Sequence, residues 1–363
     1  MKNEKIRVGI THGDINGIGY EVIMKTLMDS RIIELCTPIV YGSPKVAAYH
    51  RKALNLEAAI TLHHIRSAEE ADPTKANIVN CVDDNIRVEL GKSTAAAGEA
   101  SYIALQTAVS DLKRGLIDVL VTAPINKDNI QSENFHFPGH TEYLASEFGN
   151  KENVMLMVSE SMKVGVVTGH IPISQVSSQI TAQKILTKLR IIAKSMAQDF
   201  SFSRPRIAVL GLNPHAGDNG LLGKEEQEVI IPALKQAREE GIIAMGPYPA
   251  DGFFGSNEYT KFDAILAMYH DQGLIPFKAL SFESGVNYTA GLPIIRTSPA
   301  HGTAYNIACE DVASCDSFRN ALYMACDIFR SRAVYQEIAA DPLRKQTIEQ
   351  PYDEDVPDTN LEE

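Results

Sequence analysis

Short apolar, β-branched runs alternate with longer amphipathic ones along most of this chain, and that alternation constrains the fold more than any other feature. "IRVGIT" (Ile6–Thr11) passes through glycines into the helical spacing of "YEVIMKTLM". "DVLVTAP" (Asp118–Pro124) follows the long amphipathic "GEASYIALQTAVSDLKRG". "KVGVVTGH" (Lys163–His170) precedes "TAQKILTKLRIIAKSMAQDF", "RIAVLGLNPH" (Arg206–His215) precedes "EEQEVIIPALKQAREEG", and "FDAILAMYHDQG" comes next. A strand followed by a helix and another strand needs a crossover connection, and crossovers build mainly parallel sheets. The fold class expected is α/β. With 363 residues, of which 44% are hydrophobic and 22% charged, the chain has material for a sizeable core and more than one domain. No apolar run approaches the roughly 20 residues that span a bilayer. The start "MKNEKIRVGITHGD" enters a strand without an apolar leader, which sets the expectation of a cytoplasmic protein.

A net charge of −12 leaves no basic stripe to neutralise phosphates, which argues against a nucleic-acid partner. Part of that charge lies in Gln346–Glu363, where seven acids stand without a Lys or Arg. Such a composition buries too little apolar surface to order itself, so this tail is expected to lie outside the fold. The five cysteines (Cys36, Cys81, Cys309, Cys315, Cys326) contain no C-x-x-C pair and read as reduced thiols in a reducing compartment.

In open α/β sheets ligands bind beyond the carboxyl ends of the strands. Three such ends each deliver a histidine: His170 after "VGVVTG", His215 after "IAVLGLNP" and His270 after "DAILAMY". Any one of them reads as an ordinary turn histidine. Three in equivalent positions read as a ligand set, since three imidazoles plus an open position form a catalytic metal site. His50, His63 and His64 read as structural, while His12, His136 and His301 are left open. Lys278, Asn287 and Arg296 follow His270 in a turn-rich stretch, and two cations near a metal point to a phosphate or carboxylate. "FPGHTEYLA" (Phe137–Ala145) reads as a glycine turn into a helix whose first amides favour an anion, with His140 and Thr141 at its mouth. The turn "GDINGIG" (Gly13–Gly19) matches neither the dinucleotide fingerprint nor the phosphate loop.

Several of these segments together resemble one family. They are "GDINGIGYE", "TAPINK" (Thr122–Lys127), "FPGHTEYLA", "VTGH", "GLNPHAGD" followed by "GLLGKEE", "GPYPADGFF" (Gly246–Phe254), "YHDQGLIPFK" (Tyr269–Lys278) and "GLPIIRTSPAHGTAYNIA". In this order they resemble the family of 4-hydroxythreonine-4-phosphate dehydrogenases over roughly residues 5–340. The resemblance implies two α/β/α domains around a cleft, as in isocitrate and isopropylmalate dehydrogenases. The first domain would comprise residues 1–125 plus 285–345 on the cofactor side. The second, 126–284, would carry the metal ligands and the dimer interface, leaving 346–363 as the acidic tail.

It further implies oxidation of 4-phosphohydroxy-L-threonine with NAD (or NADP) and a divalent metal. Decarboxylation to 3-amino-2-oxopropyl phosphate would follow, a step of pyridoxal phosphate (vitamin B6) biosynthesis. His170, His215 and His270 match the metal ligands, and His140, Thr141, Lys278, Asn287 and Arg296 match substrate contacts. Three imidazoles suit zinc, cobalt or manganese better than magnesium. Asp251 and Asp271 are candidates to orient ligands or to act as the base, and Lys278 is grouped with them as catalytic. The resemblance also implies a homodimer, with His270 reaching across to a metal held by His170 and His215 of the other subunit.

Ile15, Asn16 and Tyr20 depart from the family's proline-containing turn. That keeps a dehydrogenase of a four-carbon sugar-acid phosphate, D-erythronate or D-threonate 4-phosphate, as the alternative. A metal-dependent sugar-phosphate hydrolase or aldolase and a non-catalytic binding module are the remaining rivals.

Overall fold

The structure is a computed structural model and describes residues 5–150 and 152–341, so the acidic tail expected at 346–363 lies outside the described residues. Twelve strands form one sheet. In chain order they are β1 (Ile6–Thr11), β2 (Cys36–Gly42), β3 (His63–Ile65), β4 (Asn77–Asn80), β5 (Val119–Thr122), β6 (Val154–Val158), β7 (Lys163–Thr168), β8 (Arg206–Leu210), β9 (Ile243–Tyr248), β10 (Ala264–Tyr269), β11 (Val286–Ala290) and β12 (Arg296–Pro299). Across the sheet they run β3-β4-β2-β1-β5-β12-β11-β6-β7-β10-β8-β9.

The expected alternation holds, and with it the α/β class. Strands β3 to β12 on one side, and β7, β10, β8 and β9 on the other, pair in parallel within each group. The middle is antiparallel: β11 against β12 and β6, and β6 against β7. Connection length explains it. Only Ser159–Met162 separates β6 from β7, and the Ser159 amide donates to the Met162 carbonyl at 2.9 Å. A link this short cannot cross over a sheet. Between β11 and β12 the chain turns at Gly291, whose φ of 91° suits a residue without Cβ. Three reversals leave the two parallel groups pointing opposite ways.

Helices cover the sheet where the amphipathic runs stand, and their starts are capped by local side chains. Thr94 accepts from the Ala97 amide at the head of helix Ala95–Lys113. Thr181 does the same for Lys184 at helix Ala182–Gln198, and Ser43 for Val46 at helix Pro44–Ala53. Strands β5 and β2 are buried throughout. One apolar cluster extends beneath most of the sheet, and a second joins Val164, Val166 and Ala267 to Phe277 around β7 and β10. The strands that end near His170, His270 and His215 are therefore immediate neighbours, in the order β7-β10-β8.

Candidate active site

A cavity of about 490 Å³ opens where β5, β12, β11 and β6 meet. Arg296, the first residue of β12, is only 3% exposed within it. Its Nε and Nη2 donate to Thr122 Oγ1 at 3.0 and 2.7 Å, and Nη2 also donates to His140 Nδ1 at 3.0 Å. All of these acceptors are neutral, and no carboxylate pairs with Arg296 among the described residues. Burial pulls the guanidinium down to about 10, with Glu142 opposing, so it stays charged. A buried cation without a partner costs several kcal/mol, about the price an incoming anion offsets.

His140 begins helix His140–Glu147 and is buried. Burial, then Arg296 and Lys127, push its imidazole well below the usual histidine range, so it is neutral. Because Nδ1 accepts from Arg296, the proton is assigned to Nε2, and Nε2 has no partner. The helix is capped by Gly139, which has no side chain to accept from the first-turn amides. Thr141 follows, with its hydroxyl 3.4 Å from that of Thr289. Asn287 Oδ1 and His301 Nε2, also on the lining, are buried without partners. His301 Nδ1 donates to the Gly302 carbonyl at 3.0 Å, and burial lowers its pKa. The wall thus offers a charged fork, a ring N–H and open amides to an anion.

The three strand-end histidines divide. His170 lines the cavity, and its ring centroid is 5.2 Å from that of His270 in the same chain. Two imidazoles on one tetrahedral ion have centroids roughly 5 Å apart, given metal–nitrogen bonds near 2.1 Å, so this pair fits a shared divalent ion. Burial, Lys127 and His270 lower the His170 pKa, against Glu142, which keeps it in the neutral form a metal needs. His270 Nδ1 is hydrogen bonded to Asp271 Oδ1 at 2.7 Å, leaving Nε2 free.

His215 sits instead in a left-handed run from His215 to Asn219, with φ values of 52, 51, 82, 43 and 55°. The buried Glu226 carboxylate holds that loop, accepting from the amides of Leu212 and Asn213 at 2.8 Å each. Among the described residues no three His, Cys, Asp or Glu side chains gather as a metal set. The division implied by the resemblance, with His170 and His215 on one subunit and His270 on the other, differs from this pairing. Adjacent β7 and β10 bring their own two histidines together.

His140, Thr141, Asn287 and Arg296 share one cavity, whereas Lys278, Asp251 and Asp271 do not line it. Lys278 and Asp271 are exposed on helix His270–Ser281, and Asp251 is exposed on helix Ala250–Gly255. Sequence reasoning missed Lys127 and Lys188 on the lining and left His301 open. Lys127 closes "TAPINK" after β5, and His301 follows β12, so the strand-end rule contained a signal for both. Lys188 lies in the middle of an amphipathic helix, where spacing gives none. Ile15, Asn16 and Tyr20 are buried and are not on the lining, so the departures from the family turn lie outside this cavity. Tyr20 is stacked between His12 and His50, with centroids at 5.3 and 5.0 Å.

The family model described as pyridoxal phosphate biosynthetic protein PdxA matches residues 34–325. The chain is 56% identical over 356 residues to 4-hydroxythreonine-4-phosphate dehydrogenase of Bacteroides thetaiotaomicron, covering 98% of this chain and 97% of that protein. It is 38% identical to a protein of Oceanobacillus iheyensis provisionally named D-threonate 4-phosphate dehydrogenase, over 90% of this chain and 98% of the relative. The crystal structure of 4-hydroxythreonine-4-phosphate dehydrogenase from Klebsiella pneumoniae superimposes with a TM-score of 0.78 at 34% identity, covering 90% and 99% of the two chains. Isocitrate dehydrogenase from Methylococcus capsulatus, at TM-score 0.50 and 12% identity over 92% and 89% of the chains, shares the fold alone. The chain belongs to the PdxA family of pyridoxal phosphate biosynthetic proteins, whose relatives named above are dehydrogenases.

Proposed function

We propose that the chain oxidises 4-phosphohydroxy-L-threonine with NAD or NADP and a divalent metal, and that the product loses carbon dioxide to give 3-amino-2-oxopropyl phosphate. The observation that carries this reading is Arg296, a buried guanidinium without a carboxylate, beside the unpartnered Nε2–H of His140. A phosphate fits both, with the amides of Thr141 and its neighbours at the helix N-terminus. Lys127 and Lys188 join Arg296 on the lining against the single acid Glu142, a balance that suits a substrate bearing both phosphate and carboxylate. Binding the phosphate there fixes the remote end of the substrate, so that its reacting carbon is positioned by contacts far from the chemistry.

His170 and His270 would hold the ion with His215, and Asp271 keeps the His270 ring turned with Nε2 outward. When bound, zinc, cobalt, manganese or magnesium supplies Lewis-acid polarisation of the C3 oxygen, and the nicotinamide supplies the hydride acceptor.

The third imidazole is assigned to a second copy of the chain, in a homodimer with two shared sites. Exposed apolar side chains follow each of the three histidines: Ile173 at 74%, Leu221 at 78% and Ile275 at 64%. Exposed apolar side chains beside the ligands suit a protein partner there. Lys278 and Asp271, exposed on helix His270–Ser281, and Asp251, exposed on helix Ala250–Gly255, are then available to the partner's cavity as substrate contact and base. Residues 1–125 with 285–345, and 126–284, form the two domains of this reading. That division cuts the strand order once, between β11 and β6. The compartment proposed is the cytoplasm; no described helix is long and apolar enough to cross a membrane.

The D-threonate 4-phosphate relative supports a second reading, in which the substrate is a sugar-acid phosphate with a hydroxyl in place of the amino group. Purified protein with each metal and NAD or NADP should release reduced nicotinamide and carbon dioxide from 4-phosphohydroxy-L-threonine, with D-erythronate and D-threonate 4-phosphates as competitors. Preference for a sugar acid would select the second reading. Turnover without nicotinamide reduction would replace both by a hydrolase or aldolase.

A further inference from the structure

We infer that Lys188 is the contact for the substrate's carboxylate, the second anionic group of the ligand that Arg296 holds by its phosphate. This deepens the proposed function and rests on the cavity being the phosphohydroxy-acid site. Lys188 projects from helix Ala182–Gln198 onto the cavity lining, against Asn153, which precedes β6. Its ammonium donates to the Asn153 carbonyl. No carboxylate forms an ion pair with it among the described residues. Burial depresses its pKa, Glu152 opposes that shift, and Lys184 adds a smaller push downwards. A half-buried ammonium has three donors, and only one of them is used.

The spacing fits two anions on one small molecule. Arg296 stands on β12 and Asn153 precedes β6, with β11 between them; the register puts Arg296 in the row of Thr289 and Met155, so Asn153 lies two residues further along and the two backbones are roughly 12 Å apart. An extended four-carbon chain places its carboxyl carbon and terminal phosphorus roughly 6 Å apart, with bonds near 1.5 Å. With a hydrogen bond of about 3 Å at each end, such a ligand asks for cationic nitrogens roughly 12 Å apart, the scale of a cavity that both Arg296 and Lys188 line. The ends are also chemically unlike. Arg296, His140 and the helix amides form a multi-donor cradle suited to a phosphate, whereas Lys188 is a single point charge suited to a carboxylate.

Calorimetric titration of the metal-loaded full chain with two probes tests the assignment. One probe is 4-phosphohydroxy-L-threonine; the other is the corresponding amino alcohol, in which CH2OH replaces the carboxylate. K188Q should weaken the acid at least tenfold and change the alcohol less than twofold, with an unchanged melting temperature. R296Q should weaken both. Equal weakening of the two probes by K188Q, or no weakening of either, overturns the assignment. If wild type binds neither probe, or R296Q binds both normally, the reading of the cavity itself fails and takes the Lys188 assignment with it.

Discussion

Arg296 is a cation whose partners in the chain are all neutral, and that makes it the residue with most to gain from a ligand. Binding to the native state alone stabilises by RT ln(1 + [L]/Kd), about 1.4 kcal/mol at ten times Kd. Inorganic phosphate should therefore raise the melting temperature of wild type and leave that of R296Q where it was. A buried charge-assisted contact is worth roughly 2–5 kcal/mol, so kcat/KM of R296Q should fall at least 30-fold. An unaltered phosphate shift in R296Q would place the anion elsewhere. Four residues of this wall (His140, Thr141, Asn287 and Arg296) were legible because they lie in long motifs at strand and helix ends. Lys188 was not, because nothing in a helical repeat distinguishes a lysine that faces a cavity from one that faces water. Lys278 was legible as a cation, but its exposure on helix His270–Ser281 depends on packing that spacing does not encode.

Elements meet most closely at the stack of His12, Tyr20 and His50, which joins the end of β1 to helices Gly19–Leu27 and Pro44–Ala53. Both imidazoles are held down to about 4, in each case chiefly by burial. Neutral in the native state, each takes up a proton on unfolding once the pH is below 6.5. Their contribution is therefore complete above pH 6.5 and is lost as the pH falls towards 4. By pH 5 the loss is about 2 kcal/mol for each ring, so the urea midpoint should drop steeply between pH 7 and 5. His50→Gln, whose amide can still donate to the Ile15 carbonyl, should flatten that drop. A midpoint constant across this window would show that the rings titrate normally. The stack also shows what Tyr20 does in place of the family proline: it packs between two elements distant in sequence. Crossovers were legible from alternation, whereas the reversal at β6 and β7 follows from a four-residue link, Ser159–Met162, that says little by composition.

At the scale of the molecule, the proposed homodimer with shared metal sites turns on which chain would supply each imidazole. Neighbouring β7 and β10 bring His170 and His270 together, while Glu226 holds His215 on a separate left-handed loop. In the proposed two-fold dimer that arrangement would give two equivalent sites, each with His170 and His270 from one subunit and His215 from the other. Mixing His170→Ala with His215→Ala dimers, each inactive alone, then puts both defects in one site of the mixed dimer and none in the other. Random exchange makes about half the dimers mixed, so activity should recover to roughly a quarter of wild type. His170→Ala mixed with His270→Ala should stay at background, because those two ligands travel on the same chain and each site keeps one defect. Recovery of the second pair alone would restore the division in which His270 crosses the interface. If neither pair recovers, with exchange confirmed by mass spectrometry, all three imidazoles come from one chain and the shared site is abandoned.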